Sequence, residues 1–213
     1  DLKAWTREQI FEEAARAYVD VWKDREALGR EPISRAERYV TPNTYPKEIR
    51  GTLRDAVSYF FVELLANTRG WRPEQSNEVF ALDAKALIAG EPARSKAVAL
   101  GDPAVHPLVK IGAVLDDLEA WHASRGEREA ELEARLERVS RLHASFTEAA
   151  DRTLIREDLA RRLGAFRDVS WWAMGKAQLA ELLRDEPKPG NLVRADATAR
   201  EGWKAYPKSV GGQ

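Results

Sequence analysis

An all-α fold of about eight helices packed as antiparallel hairpins is what this sequence predicts. Apolar residues recur at three- and four-residue spacing along most of the chain, and no run alternates with period two. Clusters rich in Gly and Pro punctuate the periodic segments. The 213 residues can bury about 70% of the unfolded chain's surface, enough for one helical domain over 1–213. Residues 90–106 are rich in Ala, Gly and Pro and lack a strong period, so a subdivision into 1–90 and 107–213 would fall there.

Thr6-Arg7-Glu8-Gln9 fits a capping box, with Trp5 and Ile10 placed as a hydrophobic staple. Ile10, Phe11, Ala14, Tyr18, Val21 and Trp22 follow helical spacing, and Gly29 is placed to end that helix in the left-handed conformation. Pro32 and the run Pro42-Asn43-Thr44 make 30–45 a loop, with a turn of helix near Arg35–Tyr39. Pro46 suits the first turn of the next helix, which reaches Ala66. Its wide apolar face carries Ile49, Leu53, Val57, Phe60, Phe61, Leu64 and Leu65. Gly51 inside it costs about 1 kcal/mol against alanine, so its expected use is close approach of another helix.

Asn67-Thr68-Arg69-Gly70 breaks the pattern before a shorter helix from Pro73 to Ala89, which Gly90-Glu91-Pro92 stops. Leu108, Ile111, Leu115, Leu118 and His122 mark the next helix, and Arg125-Gly126 link it tightly to the longest one, over 127–150. That helix carries Leu132, Leu136, Val139, His143 and Phe146. Glu131–Arg135 and Glu137–Arg141 are expected on its polar side, as pairs worth a few tenths of a kcal/mol each. Ile155, Leu159, Leu163 and Phe166 predict a further helix ending near Arg167-Asp168.

The last 45 residues carry the most specific local signal. Trp171 and Gly175 are four apart, and Ala195, Ala199, Gly202 and Pro207 follow. This is the logic of a tetratricopeptide repeat: small residues let two helices nest, and a proline ends the pair. The loop from Asp185 to Asn191 makes this copy about eight residues longer than the standard repeat.

Composition narrows function further. Lys and Arg number 34 against 35 Asp and Glu, a net charge of −1 that gives no field for steering nucleic acid. No Cys is present, which excludes disulfides, thiolate metal sites and Cys nucleophiles. No apolar run approaches the roughly 18 residues of a transmembrane helix. The opening DLKAWTREQ has neither initiator Met nor signal peptide, and the chain reads as a piece of something longer.

Candidate chemistry is sparse. His106 precedes Pro107 and belongs in a loop. His122 and His143 fall on apolar stripes of consecutive helices and could face each other as a metal or general-base pair. No accompanying ligand spacing exists, so the expectation is half-buried imidazoles at a helix interface, with no metal and no cofactor. Asp116, Asp117 and Glu119 form an acidic cluster beside His122. Neighbouring carboxylates diverge by about 100° on a helix, so a solvated face is expected rather than a cation site. Trp171 and Trp172 could wall a pocket or contact a protein partner, and one of the two is expected in the core with the other near the rim. No Gly-rich phosphate loop follows a strand and no GxSxG motif is present, which leaves no catalytic residue to name.

Two blocks point to a family. The first is Tyr45-Pro46-Lys47-Glu48-Ile49-Arg50-Gly51-Thr52-Leu53-Arg54-Asp55, continuing through Leu64-Leu65-Ala66-Asn67 to Trp71-Arg72-Pro73-Glu74-Gln75-Ser76-Asn77-Glu78. The second is Trp172-Ala173-Met174-Gly175-Lys176-Ala177-Gln178-Leu179-Ala180, continuing to Gly202-Trp203-Lys204-Ala205-Tyr206-Pro207-Lys208-Ser209-Val210-Gly211-Gly212. Together they resemble the N-terminal helical region of large bacterial alpha-2-macroglobulin-like proteins. The resemblance implies a segment that precedes a series of macroglobulin-type β-sandwiches in a protein exported to the periplasm or cell surface. It also implies a setting of protease trapping or inhibition in envelope defence. The Cys–Gln thioester of such proteins cannot lie in a chain without Cys, so no functional residue carries over.

The expectation is therefore a non-catalytic helical scaffold whose partner is the adjoining macroglobulin portion of the same polypeptide, with other envelope proteins as further partners. The alternative is a TPR-like peptide- or protein-binding module with its own partner, using Trp171 or Trp172.

Overall fold

The computed structural model describes residues 4–41 and 44–213, without the side chain of Arg94. Pro42 and Asn43 of the expected loop lie outside the described residues. The fold is all-α. An isolated bridge between Pro32 and Thr52 accompanies the helices. In chain order the helices are α1 (Arg7–Trp22), α2 (Arg25–Leu28), α3 (Leu53–Ala66), α4 (Pro73–Asn77), α5 (Ala84–Ala89), α6 (Pro92–Ser95), α7 (Pro107–Arg125), α8 (Arg128–Ser145), α9 (Ala149–Arg162), α10 (Trp172–Asp185) and α11 (Asn191–Ala205).

Several boundaries follow from local chemistry. Thr6 and Gln9 close the capping box on α1, although Trp5 and Ile10 are both exposed. Gly29 has a right-handed φ of −67°, so it is no left-handed stop; α1 ends at Trp22 and α2 follows. The helix expected from Pro46 begins only at Leu53. A second capping box sets that start: the Thr52 hydroxyl accepts from the Asp55 amide, and the Asp55 carboxylate accepts from the Thr52 amide at 2.9 Å. Gly51 is therefore a loop residue, where a Cβ would lie 2.4 Å from the Lys47 carbonyl oxygen, and not a helix–helix contact. Gly126 has a φ of +71°, as the tight link between α7 and α8 requires. Phe146 adopts an extended conformation and stops α8 five residues before the expected end.

The chain forms two compact units, residues 1–83 with 90–118 and residues 84–89 with 119–213. The connector 90–106 belongs wholly to the first, and the chain passes between the units within α7.

In the first unit α1 lies on α3, with Tyr18 stacked on Phe61 at 5.6 Å. The Trp22 indole donates to Ser58 Oγ. Phe11 fills the space that a Cβ on Gly70 would need. Leu108, Ile111, Leu115 and Leu118 are at most 1% exposed, as their spacing predicts.

In the second unit the core gathers Leu132, Leu142, Ile155, Leu159, Trp171 and Ala173. Three guanidiniums tie α5 to this core. Arg135 donates to the Ile88 carbonyl at 2.7 Å, Arg138 to Leu87 at 2.9 Å and Arg162 to Ala89 at 2.5 Å. They satisfy carbonyls that a helix C-terminus leaves open, and they oppose its negative dipole end. The single helix expected over 73–89 is thus broken into α4, a 3₁₀ turn at Val79–Ala81 and α5, with α5 drawn into the second unit. Arg135 also departs from its expected surface pairing with Glu131, and instead grips Glu119 Oε1 through Nε at 3.0 Å and Nη2 at 2.6 Å. Glu137–Arg141 does form, at 2.7 Å.

Candidate functional site

The three histidines occupy three separate environments. His106 is buried at the N-terminus of α7, where its Nδ1 accepts from the Leu108 amide at 3.1 Å. Nε2 lies 2.8 Å from the Gln75 carbonyl oxygen and must donate to it, which fixes a neutral ring as the cap of α7. Trp71 meets the imidazole edge-on at 5.1 Å. His122 is buried and bonds Glu127 through Nδ1 at 2.9 Å, beside the Trp121 ring. His143 is half-buried near the end of α8, in the field of Arg152, Asp185 and Glu186. His122 lies beside the α7–α8 link and His143 fifteen residues into α8, about 22 Å along that helix, so the structure does not bring the two together as a pair.

Burial pushes the His106 pKa down, against the opposing pull of its bond to Gln75 and of Glu78. The unfolded ring, at its ordinary value of about 6.5, takes up a proton before the folded one does. The stabilisation is complete above that value and is lost as pH falls through the folded pKa. Thermal midpoints are expected to be level from pH 8 to 7 and to drop below about pH 6.5. His106→Asn keeps a capping acceptor without the titration, so it should flatten part of that drop. The remainder includes His143, which burial lowers in the same direction. Identical pH profiles for the variant and the parent would refute the capping assignment.

The acidic cluster is not the expected solvated face. Asp116 is buried and accepts from the Glu91 amide and the Ser95 hydroxyl, which holds the start of α6. Asp117 accepts from Arg54 Nη2 at 2.7 Å and Arg25 Nε at 2.9 Å. Glu119 is held by Arg135. The divergence of neighbouring carboxylates holds, and each serves a different structural bond. Among the described residues no group of three or more His, Asp or Glu is placed to hold a metal ion.

Both candidate indoles are buried in the second unit, including the one expected near the rim. Trp171 is 1% exposed and donates from Nε1 to Glu133 Oε2 at 2.7 Å. Trp172 is 7% exposed and donates to the Leu163 carbonyl at 2.9 Å. Each indole N–H has an internal acceptor, so each ring can be enclosed completely.

These rings anchor α10 while α11 packs along it in the antiparallel sense. Gly202 near the end of α11 lies against Ala173 and Lys176 near the start of α10, and Lys176 pairs with Glu201 at 2.6 Å. Gly175 serves a different contact, since a Cβ there would lie 2.3 Å from the Leu163 side chain. Ala195 is buried as its role demands, whereas Ala199 is exposed. A flank of α11 leaves Leu192 and Trp203 at 70% and 54% exposure, and its outer side leaves Val193 at 75%. Leu192 and Trp203 are eleven residues apart, only about 20° around the helix, so they share one stripe roughly 16 Å long. Their signal was present in the sequence as apolar residues lying off the small-residue face. This stripe is the best candidate interaction surface of the hairpin.

Among the described residues no helix is long and apolar enough to cross a membrane. No family model, curated protein or solved structure matches the chain.

Proposed function

We propose that this chain is a non-catalytic helical scaffold, ending in a TPR-like hairpin, that docks onto an adjoining macroglobulin-type portion of one polypeptide. The observation that carries the reading is the apolar stripe of Leu192 and Trp203 on α11, exposed while the indoles of the same hairpin are enclosed. Large apolar side chains exposed along one helix face favour a surface that another protein covers. The candidate acid–base groups favour the same reading, because Asp116, Asp117, Glu119, His106 and His122 are bonded within the fold. The family resemblance supplies the partner and the setting: the periplasm or cell surface, in support of protease inhibition or envelope defence. The reading as a peptide-binding module with its own partner loses the side chains it was built on, since Trp171 and Trp172 are enclosed.

The test is binding of residues 1–213 to the separately expressed macroglobulin-type domains, measured by calorimetry. Leu192→Glu combined with Trp203→Ala is expected to weaken binding by at least about tenfold, as loss of an aromatic anchor does. Glu at the second position of α11 suits the helix dipole, so the fold should persist. Absence of binding by the parent chain, or equal binding by the variant, would refute the proposal.

A further inference from the structure

A small cavity in the first unit, about 50 Å³, opens between α1 and the start of α7. Its walls include Phe11, Leu65, Leu100 and Pro103, and three cations, Arg16, Arg72 and Lys110, line it as well. Lys110 is only 6% exposed. Its ammonium has neither a hydrogen bond nor an ion pair among the described residues; Glu12 and Asp102 influence it only through their fields. The other lining cations are engaged: Arg16 pairs with Glu13, and Arg72 pairs with Glu12 at 2.5 Å. Gln75 is also spent, accepting from the Arg72 amide and donating to the Pro103 carbonyl.

A mostly buried lysine beside a cavity whose carboxylates, Glu8 and Glu12, do not bond it leaves room for an anion to complete its pairing. Most of the guanidinium donors of Arg72 remain beyond its single bond to Glu12. Glu8 and Glu12 also line the cavity and oppose a dianion such as phosphate about twice as strongly as a singly charged carboxylate. The space holds a group of a few heavy atoms. We propose that this cavity binds a carboxylate, held between the Lys110 ammonium and the free edge of the Arg72 guanidinium. The carboxylate belongs either to a small free acid or to the C-terminus of a peptide. Burial, with Arg72 nearby, also lowers the Lys110 pKa, and a bound anion would reverse that direction.

The experiment titrates residues 1–213, labelled with 13C-lysine, with sodium acetate, N-acetylglycine or sodium chloride at one ionic strength. The Lys110 Cε resonance and the thermal midpoint are followed together. Acetate or N-acetylglycine is expected to shift both saturably, and chloride neither. The stronger of the two carboxylates identifies the source, free acid or peptide terminus. Lys110→Met should abolish the response and raise the midpoint of the ligand-free protein, because it removes an unpaired buried charge. Arg72→Gln, which keeps Lys110, should weaken the response by about tenfold and gives the answer even where Lys110→Met fails to fold. Equal responses to chloride, a response that survives Lys110→Met, or a resonance that never moves would mean that the cavity holds only water, and would overturn the assignment.

Discussion

Trp171→Ala is expected to destabilise the second unit by about 4–5 kcal/mol, near the top of the range for removal of a large core aromatic. The side chain is 1% exposed, so nearly its whole surface returns to solvent or leaves a void. The substitution also removes the indole donor from the buried Glu133 carboxylate. The backbone amide of Trp171 still reaches Glu129 Oε1 at 3.2 Å, which leaves the entry to α10 partly held. Trp171→Phe separates the two losses. It keeps most of the volume and forfeits the N–H, so it should cost about 1–3 kcal/mol. Hydrogen exchange resolved to α8 and α10 is the suitable measurement, because two units need not unfold as one transition. Protection in α8 and α10 that is unchanged in Trp171→Ala would show that the ring does not hold this core. A domain with total stability of about 5–15 kcal/mol would keep little of it after the alanine change. Any loss of partner binding by that variant would therefore report unfolding, whereas the exposed pair Leu192 and Trp203 tests recognition directly.

The legible parts of this fold are those fixed within one or two turns of chain. The capping box of Thr6 and Gln9, the stripe from Leu108 to Leu118 and the turn at Gly126 all depend on neighbours a few residues away. The start of α3 was equally local, yet Pro46 drew the boundary seven residues too early, because Thr52 and Asp55 form a box with Asp in place of the usual Glu or Gln. Other features depend on distant partners. Nothing near Leu87–Ala89 announces that Arg135, Arg138 and Arg162 will take its carbonyls, so the break between α4 and α5 was hidden. Lys110 lies off the apolar stripe of α7, yet it is 6% exposed beside a cavity walled by residues distant in sequence, Phe11 and Leu100 among them. One of Trp171 and Trp172 is expected at the rim because adjacent helical residues diverge, but Trp172 finds an acceptor in the Leu163 carbonyl and both rings are enclosed.

Asp117 brings the same lesson to the acidic cluster. Arg54 is 2% exposed, and its guanidinium donates to both Asp117 and Glu26. Glu26 is 68% exposed, so its share is screened and small. Asp117 is 17% exposed and also receives Arg25, which lies over the Trp22 ring at 3.8 Å. Asp117→Ala is expected to cost the first unit about 3–5 kcal/mol, because it strips the more buried counter-charge from a buried guanidinium. Glu26→Ala should cost under about 1 kcal/mol. Replacing both ends, as Arg54→Met with Asp117→Leu, should recover most of the loss, since neither charge then needs desolvation. Arg25 is 25% exposed and can turn to water in that variant. Urea midpoints of the three proteins settle the ranking. A carboxylate kept for acid–base chemistry would give the opposite pattern: Asp117→Ala with parental stability, and no recovery on removing Arg54. The bonds around Asp117 lead us to expect the structural ranking, with the cost of each change set by how deeply the remaining charge is buried.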